Sequence, residues 1–252
     1  MAGQMVRRPD LYDTIGTTYQ RTRRADPRLE RRIRAAVGDA TFVVNVGAGT
    51  GSYEPDDCAV VAVEPSMVMI NQRPEACAPV VRAAAESLPF KDQCFDVAMA
   101  LWTIHHWTDL RRGLEELRRV AARVVIVTAS KVMNELWLTN DYWPEMARQR
   151  RDEIQPQAVI NVLGTSARIE PLPLPRDCTD GIGEAFWARP EAYLDPQVRA
   201  GMSCFQRLDQ ADVDRGMDRL ATDLRSGEWD RRYGHLRNMD EFDCGHRLIV
   251  TS

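Results

Sequence analysis

Three glycines and one glutamate have the types and the spacing expected of a nucleoside-binding site. The sequence VVNVGAGTG, at residues 43–51, carries an apolar run directly into a turn that contains Gly47, Gly49 and Gly51. Glycine adopts positive φ without strain and, because it lacks Cβ, lets a ligand approach the backbone closely. Glu64 closes the next apolar run, VVAVE, and a carboxylate there can accept hydrogen bonds from both hydroxyls of a ribose.

Two neighbouring parallel strands would position these residues. Phe42–Val46 is almost entirely β-branched or aromatic, which is typical of a strand covered on both faces. Ala59–Val63 would be its neighbour, so that Glu64 lies at the carboxyl edge of the sheet, where open α/β sheets bind ligands. Ala48 belongs to the turn, and the flat ring of Pro65 can pack against a base.

The spacing also discriminates between classes of ligand. The turn is G-x-G-x-G rather than the G-x-G-x-x-G of a pyrophosphate-binding turn, and no Gly-Lys-Ser/Thr follows it. Only twelve residues separate Gly51 from Glu64, against the ~20 of a dinucleotide fold. Ser52 to Pro55 leave little room for the long helix that would bind a diphosphate. A ligand with a ribose but no diphosphate fits better, and S-adenosylmethionine is such a ligand.

Four segments together resemble the class I S-adenosylmethionine-dependent methyltransferases, in the branch of the ubiquinone and menaquinone biosynthesis enzymes. They are the glycine turn, VAVEPS at 61–66, AAESLPFKDQCFDVAMA at 84–100 and IHHW at 104–107. The front segment, 11–28, is similar to an amino-terminal cap of such enzymes, and the full-length layout is similar to natural-product methyltransferases, including azapteridine N-methyltransferases of the toxoflavin type. The resemblance implies a doubly wound, seven-stranded, Rossmann-like α/β sheet with a helical substrate cap.

The resemblance further implies which residues contact S-adenosylmethionine and its product, S-adenosylhomocysteine. An aromatic residue and an arginine of the amino-terminal cap would reach the methionine carboxylate, with Arg24 competing with Arg23 for that role. The acidic residue that holds the adenine edge in relatives is replaced here by Ala84, whereas the amide of Ala85 remains. The predicted cofactor contacts are Tyr19, Arg23, Gly47, Ala48, Gly49, Gly51, Glu64, Pro65, Ala85, Glu86, Leu101 and Trp102.

The end of the predicted strand Phe95–Leu101 is where the cofactor and the methyl acceptor should meet. His105 and His106 follow it, and imidazole titrates near neutrality, so His106 is the candidate general base. The alternative is that the pair serves in packing and capping, as it does in relatives. A ring nitrogen as acceptor needs no strong base, whereas a hydroxyl would require His106 or a carboxylate such as Asp180.

The chain divides into a core and helical additions. The predicted units are an amino-terminal helical cap (1–38), the cofactor-binding core (39–175), a helical substrate-cap insertion (176–243) and a final core strand (244–252). Apolar spacing predicts helices over Leu29–Val37 and over Asp212–Arg225, where the stripe is Val213, Met217, Leu220 and Leu224. A further helix is predicted around Gln197–Phe205, and residues Asn134–Val162, rich in Trp and Glu, are predicted to be helical. The candidate acceptor-binding residues, alternatively core of the cap, are Trp143, Phe186, Trp187, Arg189 and Tyr193.

Composition limits the partners. The six cysteines form no C-x-x-C pair, so neither a zinc site nor a disulfide framework is expected and no metal is predicted. A net charge of −4 disfavours nucleic acid, and no apolar run is long enough to span a membrane or to form a signal peptide, so a cytoplasmic location is expected. We expect a monomer or a homodimer that binds a small-molecule acceptor.

The predicted function is methyl transfer from S-adenosylmethionine to a nitrogen or oxygen of a small heteroaromatic metabolite, in natural-product or cofactor biosynthesis. Three alternatives stay open from the sequence. One is a non-methylating enzyme of the same fold, such as a cyclase, and another is a nicotinamide-dependent oxidoreductase, which the short turn after Gly51 disfavours. The third is a non-enzymatic binding protein.

Overall fold

The computed structural model describes residues 23–150, 155–164 and 166–252. Tyr19 and most of the predicted amino-terminal cap lie outside these residues. Within them, no helix has the length and apolar character needed to cross a bilayer.

A seven-stranded sheet forms the core, which confirms the predicted fold class. Its strands are β1 (Phe42–Val46), β2 (Ala59–Val63), β3 (Val80–Val81), β4 (Phe95–Leu101), β5 (Ala121–Ala129), β6 (Arg168–Pro171) and β9 (His246–Val250). The order across the sheet is β3-β2-β1-β4-β5-β9-β6. The first five strands run parallel, and β9 is antiparallel to both of its neighbours. The carboxyl ends of β1, β2, β4 and β5 therefore meet at one edge, next to the start of β9.

Helices with apolar faces cover the sheet. Helix α1 (Pro27–Val37) begins after Asp26, whose side chain accepts a hydrogen bond from the Arg28 amide, and it ends at Gly38 with φ of 71°. Its buried residues are those of the predicted apolar stripe, Leu29, Ile33, Ala36 and Val37. Helices α2 (Met67–Ile70) and α3 (Leu110–Val120) follow β2 and β4.

The segment between β5 and β6 is broken rather than continuously helical. It contains a 3₁₀ helix (Lys131–Glu135), a π-helical turn (Leu138–Tyr142), α4 (Pro144–Gln149) and α5 (Pro156–Leu163). Each of the two prolines begins a helix, and Trp143 takes a non-helical conformation before Pro144. Proline cannot donate to the preceding turn and disfavours helical geometry at the residue before it, so the segment predicted to be helical, Asn134–Val162, forms several short helices.

The insertion leaves and rejoins the core through a small antiparallel pair, β7 (Leu174–Pro175) and β8 (Glu241–Phe242). Between them lie two 3₁₀ helices (Pro190–Leu194 and Gly234–Asn238) and helices α6 (Pro196–Ala200), α7 (Ser203–Gln206), α8 (Gln210–Ser226) and α9 (Glu228–Tyr233). The single helix predicted over Gln197–Phe205 is therefore two helices, since the chain breaks at Gly201 and Met202. The apolar stripe of α8 lies where the spacing placed it.

Residues 131–150 pack with the insertion although the sequence placed them in the core. The Trp137 indole donates to the Trp187 carbonyl at 2.8 Å, and the Tyr142 hydroxyl donates to Asp223 at 2.9 Å. These contacts join two parts of the chain that are distant in sequence. We call residues 131–150 and 176–243 together the cap.

Candidate cofactor and acceptor site

The glycine turn after β1 forms a cradle that only glycine permits. Gly47, Gly49 and Gly51 have φ of 71°, 53° and 95°. A Cβ on Gly47 would lie 2.0 Å from the Thr103 hydroxyl oxygen, and one on Gly51 would lie 2.6 Å from the Cys77 sulfur. The turn is held against β2 because the amides of Gly47 and Ala48 both donate to the Val63 carbonyl. Backbone conformation and space therefore both require glycine here.

Glu64 lies across this turn at the end of β2. Its side chain is buried, and its two carboxylate oxygens accept hydrogen bonds from the Gly49 and Ser66 amides, both at 2.9 Å. Burial raises the pKa of the carboxyl, and these amides and Arg73 oppose the rise. Each carboxylate oxygen has a further lone pair, so the fixed carboxylate can still accept a pair of ribose hydroxyls. Pro65, next in the chain, is exposed and leaves one ring face open to a base.

The next predicted contacts, Ala85 and Glu86, follow β3. Ala85 is buried. The Glu86 carboxylate accepts hydrogen bonds from the Thr108 hydroxyl at 2.7 Å and the Asp109 amide at 3.1 Å. Burial would raise the Glu86 pKa, but these hydrogen bonds outweigh burial and lower the pKa. Glu86 thus secures the loop before α3, and its contact to a cofactor stays a prediction.

Leu101 and Trp102 end β4 beside the turn. Trp102 has φ of 50°, which is rare for a bulky residue, and its amide donates to the Val127 carbonyl at 2.8 Å. The indole lies 5.4 Å from the Tyr53 ring. Trp102 also lines a cavity between the carboxyl end of β5 and the cap. Thr103, next in the chain, lies against Gly47, so this tryptophan is near both the glycine turn and the cavity.

The cavity has both charged and apolar walls. Its charged side chains are Arg23, Arg150, Glu184 and Arg207, its imidazoles are His105 and His246, and its apolar side chains include Met133, Met146 and Met202. A cavity of this kind suits a small polar molecule with an apolar part.

Arg23, the arginine predicted to hold a carboxylate, lines this cavity and pairs with Asp180. The distance from Arg23 Nε to Asp180 Oδ1 is 2.5 Å, and Asp180 is fully buried. The Tyr53 hydroxyl donates to the same carboxylate at 2.8 Å. Arg24, the competing arginine, is exposed. Arg23 is thus the one of the two that lines the cavity, and its contact with the cofactor carboxylate stays a prediction. Asp180, the alternative base, is held between an arginine and a tyrosine.

The two histidines lie in a 3₁₀ helix, Ile104–His106, with ring centroids 3.9 Å apart. His105 lines the cavity, and His106 does not. His105 is half-buried, and the loss of hydration among protein atoms lowers its pKa, with a further contribution from neighbouring positive charge. His106 is exposed to solvent but closely surrounded by protein atoms, and its pKa falls to about 4. Both rings are neutral at pH 7, and the role of His106 as a base stays a prediction.

The depressed pKa values predict acid sensitivity. We expect the free energy of unfolding to fall as the pH drops from 6.5 towards about 4, because the unfolded histidines take up protons that the folded ones do not. Urea denaturation at a series of pH values should show this slope, and a His105→Gln, His106→Gln double variant should flatten it. If the free energy of unfolding depends on pH as steeply in the double variant as in the wild type, the two histidines are not the cause of the acid sensitivity.

The five predicted acceptor-binding residues pack inside the cap. Trp143, Trp187 and Tyr193 are fully buried, and the Arg189 guanidinium stacks on the Phe186 ring at 4.6 Å. None of them lines the cavity among the described residues. They form the apolar core that supports the wall of the cavity, which was the alternative interpretation of their aromatic character.

Sequence reasoning missed Arg150, Glu184 and His246, which do line the cavity. His246 begins β9 and pairs with Ala129 at the end of β5, so the antiparallel strand places it at the edge where β4 ends. A predicted last strand starting at a histidine was the one available signal. For Arg150 and Glu184 the sequence carries no comparable signal.

Comparison with known proteins agrees with this arrangement. A methyltransferase domain model matches residues 44–129, which span the turn, Glu64 and the end of β5. A crystal structure from Anabaena variabilis, described as a candidate methyltransferase from an antibiotic biosynthesis pathway, is 30% identical, with 92% of this chain and 99% of that chain covered and a TM-score of 0.84. The chain belongs to the class I S-adenosylmethionine-dependent methyltransferases.

Three further matches limit what the family membership implies. Demethylmenaquinone methyltransferase from Corynebacterium urealyticum is 27% identical over 121 residues, which are 44% of this chain and 53% of that enzyme. The chain thus spans about half the length of this curated relative, and it covers 54% of an uncharacterised relative from Methanocaldococcus jannaschii. The [4+2]-cyclase SpnF, 15% identical with a TM-score of 0.55 over 96% of this chain and 92% of that chain, shares the fold alone.

The residues present fit the cofactor that the family implies. The glycine cradle has no room for a Cβ at Gly47 or Gly51, and the buried carboxylate of Glu64 is fixed across it. Among the described residues no cluster of His, Cys, Asp and Glu is arranged to hold a metal ion, and independence from metals stays a prediction.

Proposed function

We propose that this protein transfers a methyl group from S-adenosylmethionine to a small-molecule acceptor bound in the cavity beside Trp102. The observation that supports this most is the position of Trp102, which lines the cavity and directly precedes Thr103, the residue that lies against Gly47 of the glycine turn. When bound, S-adenosylmethionine supplies an electrophilic methyl carbon on a sulfonium.

The chain's own residues contribute binding and orientation. Glu64 holds a ribose, and the backbone at Gly47 to Gly51 allows close approach of the ligand. The cap encloses the acceptor and keeps water away from it. Correct alignment of nucleophile and methyl carbon is the main contribution that such a site makes to the rate of an in-line displacement.

The acceptor we propose is a heteroaromatic metabolite methylated on nitrogen or oxygen, in natural-product biosynthesis. The methionine side chains of the cavity suit the faces of a flat ring, and its arginines and Glu184 suit polar ring substituents. The antibiotic-pathway assignment of the Anabaena protein supports the same choice.

The test has two stages. Calorimetry with S-adenosylmethionine and, separately, with NADH should show binding of the first and none of the second. Incubation with S-adenosylmethionine and a panel of heteroaromatic amines and phenols should then give S-adenosylhomocysteine and a methylated product by mass spectrometry. Tight NADH binding would contradict the proposal, and an isomerised product without S-adenosylhomocysteine would indicate a non-methylating enzyme.

A further inference from the structure

Four side chains from four separate parts of the chain form a continuous series of polar contacts along the wall of the cavity. The Trp102 indole nitrogen donates to His246 Nδ1 at 3.1 Å. His246 Nε2 lies 3.5 Å from one carboxylate oxygen of Glu184, and Arg150 donates to the other at 2.8 Å. All four residues line the cavity. The series links the end of β4 to the start of β9 and to both segments of the cap.

The series is buried and contains an ion pair. The side chains of His246, Glu184 and Arg150 are 2%, 5% and 10% exposed. Burial alone would raise the pKa of Glu184, but the charge of Arg150 and the contact with His246 outweigh it and lower the pKa to about 2. Glu184 is therefore ionised at neutral pH and can only accept hydrogen bonds.

The partners of His246 determine its tautomer. An indole N–H only donates, so Nδ1 must carry the lone pair and the ring proton must be on Nε2. That proton faces the ionised carboxylate of Glu184, which only accepts. The polar contacts of the series thus run in one consistent direction, and the Nδ1 lone pair of His246 is used by the Trp102 indole.

Trp102 needs such support because its backbone is in the left-handed region, with φ of 50°. Strained conformations persist only where the surroundings over-determine them. The indole has Tyr53 on one side, and the His246 ring packs edge-on against it with centroids 5.9 Å apart. The hydrogen bond to Nδ1 is the contact that fixes the rotation of the indole.

We propose that His246, held in place by Glu184 and Arg150, is a positioning residue that fixes the indole of Trp102 as the wall between the cofactor turn and the acceptor cavity. The consequence for catalysis rests on the proposed function, whereas the positioning of the indole does not. Release of the indole would change the alignment of the acceptor and leave the ribose contacts at Glu64 unchanged.

Two substitutions of His246 distinguish the contact made by Nδ1 from the contact made by Nε2. His246→Asn keeps an acceptor near the position of Nδ1, whereas His246→Gln keeps a polar group near Nε2 and loses the acceptor for Trp102. With ¹⁵N-labelled tryptophan, the indole N–H resonance of Trp102 is assigned by its loss in Trp102→Phe. We expect His246→Asn to leave that resonance near its wild-type position and His246→Gln to shift it upfield. An unshifted resonance in His246→Gln overturns the proposal.

Kinetics with the methyl acceptor provide the second readout. We expect His246→Gln to lower kcat on the order of 10- to 100-fold, with the KM for S-adenosylmethionine changed by less than about twofold, and His246→Asn to retain most of the rate. In the Trp102→Phe background His246→Gln should have no further effect. An equal effect in both backgrounds overturns the proposal.

The outcomes distinguish this proposal from the proposed function. If His246→Gln shifts the Trp102 indole resonance but the wild-type protein transfers no methyl group, the proposed function is contradicted and the positioning role of His246 is supported. Should His246→Gln not fold, Glu184→Gln removes the charge that orients His246 at nearly constant side-chain size. We expect it to shift the same indole resonance, and an unchanged resonance overturns the proposal.

Discussion

Replacing Glu64 with alanine is expected to weaken the binding of S-adenosylhomocysteine on the order of 100-fold, about 2.7 kcal/mol, as measured by calorimetry. Hydrogen bonds to a charged group contribute about 1.5–3 kcal/mol each, and the carboxylate offers a free lone pair to each of two ribose hydroxyls. The Gly49 amide donates a hydrogen bond of 2.9 Å to this carboxylate across the turn. The carboxylate is therefore oriented before the ribose binds.

The control for this prediction is another buried carboxylate near the same turn. The Glu54 side chain is 7% exposed, and it pairs with Arg73. Both substitutions disturb a largely buried, hydrogen-bonded carboxylate and should lower the urea midpoint. Only Glu64→Ala should lose ligand affinity strongly, with Glu54→Gln changed by less than about tenfold. Wild-type affinity in Glu64→Ala, or equal losses in both variants, would contradict the assignment of Glu64.

Replacing Gly47 with alanine is expected to lower the free energy of unfolding by about 2–5 kcal/mol. A left-handed conformation costs a residue with a Cβ about 1–2 kcal/mol, and overpacking adds about 1–3 kcal/mol. Both apply at Gly47, where φ is 71° and the new Cβ would lie 2.0 Å from the Thr103 hydroxyl oxygen. Urea denaturation followed by circular dichroism measures the change.

Gly227 provides a matched control for backbone strain. Its φ is 74°, and nothing lies within 4 Å of a Cβ built there. Gly227→Ala should therefore cost only about 1–2 kcal/mol. Thr103→Gly, which removes the atoms in conflict, should restore part of the stability of Gly47→Ala. If the free energy of unfolding falls equally in Gly47→Ala and Gly227→Ala, the contact with Thr103 does not contribute to the loss of stability.

The sequence by itself determined the strands and the cofactor side of the site. The bounds of β1, β2 and β4 are those predicted, because strands buried on both faces need largely apolar runs, which are visible in the sequence. The turn and Glu64 follow two such strands directly. Their meeting at one edge follows from parallel pairing, a property of the fold class rather than of distant side chains.

The acceptor side was decided by the tertiary structure alone. His246, Glu184 and Arg150 come from β9 and from the two segments of the cap, and no spacing relates them. Aromatic character drew the prediction to Trp143 and Trp187, which are buried because large apolar side chains contribute most when they are fully removed from water. Which side chains line a cavity between short helices depends on how those helices pack, and packing is settled by contacts between residues far apart in the chain.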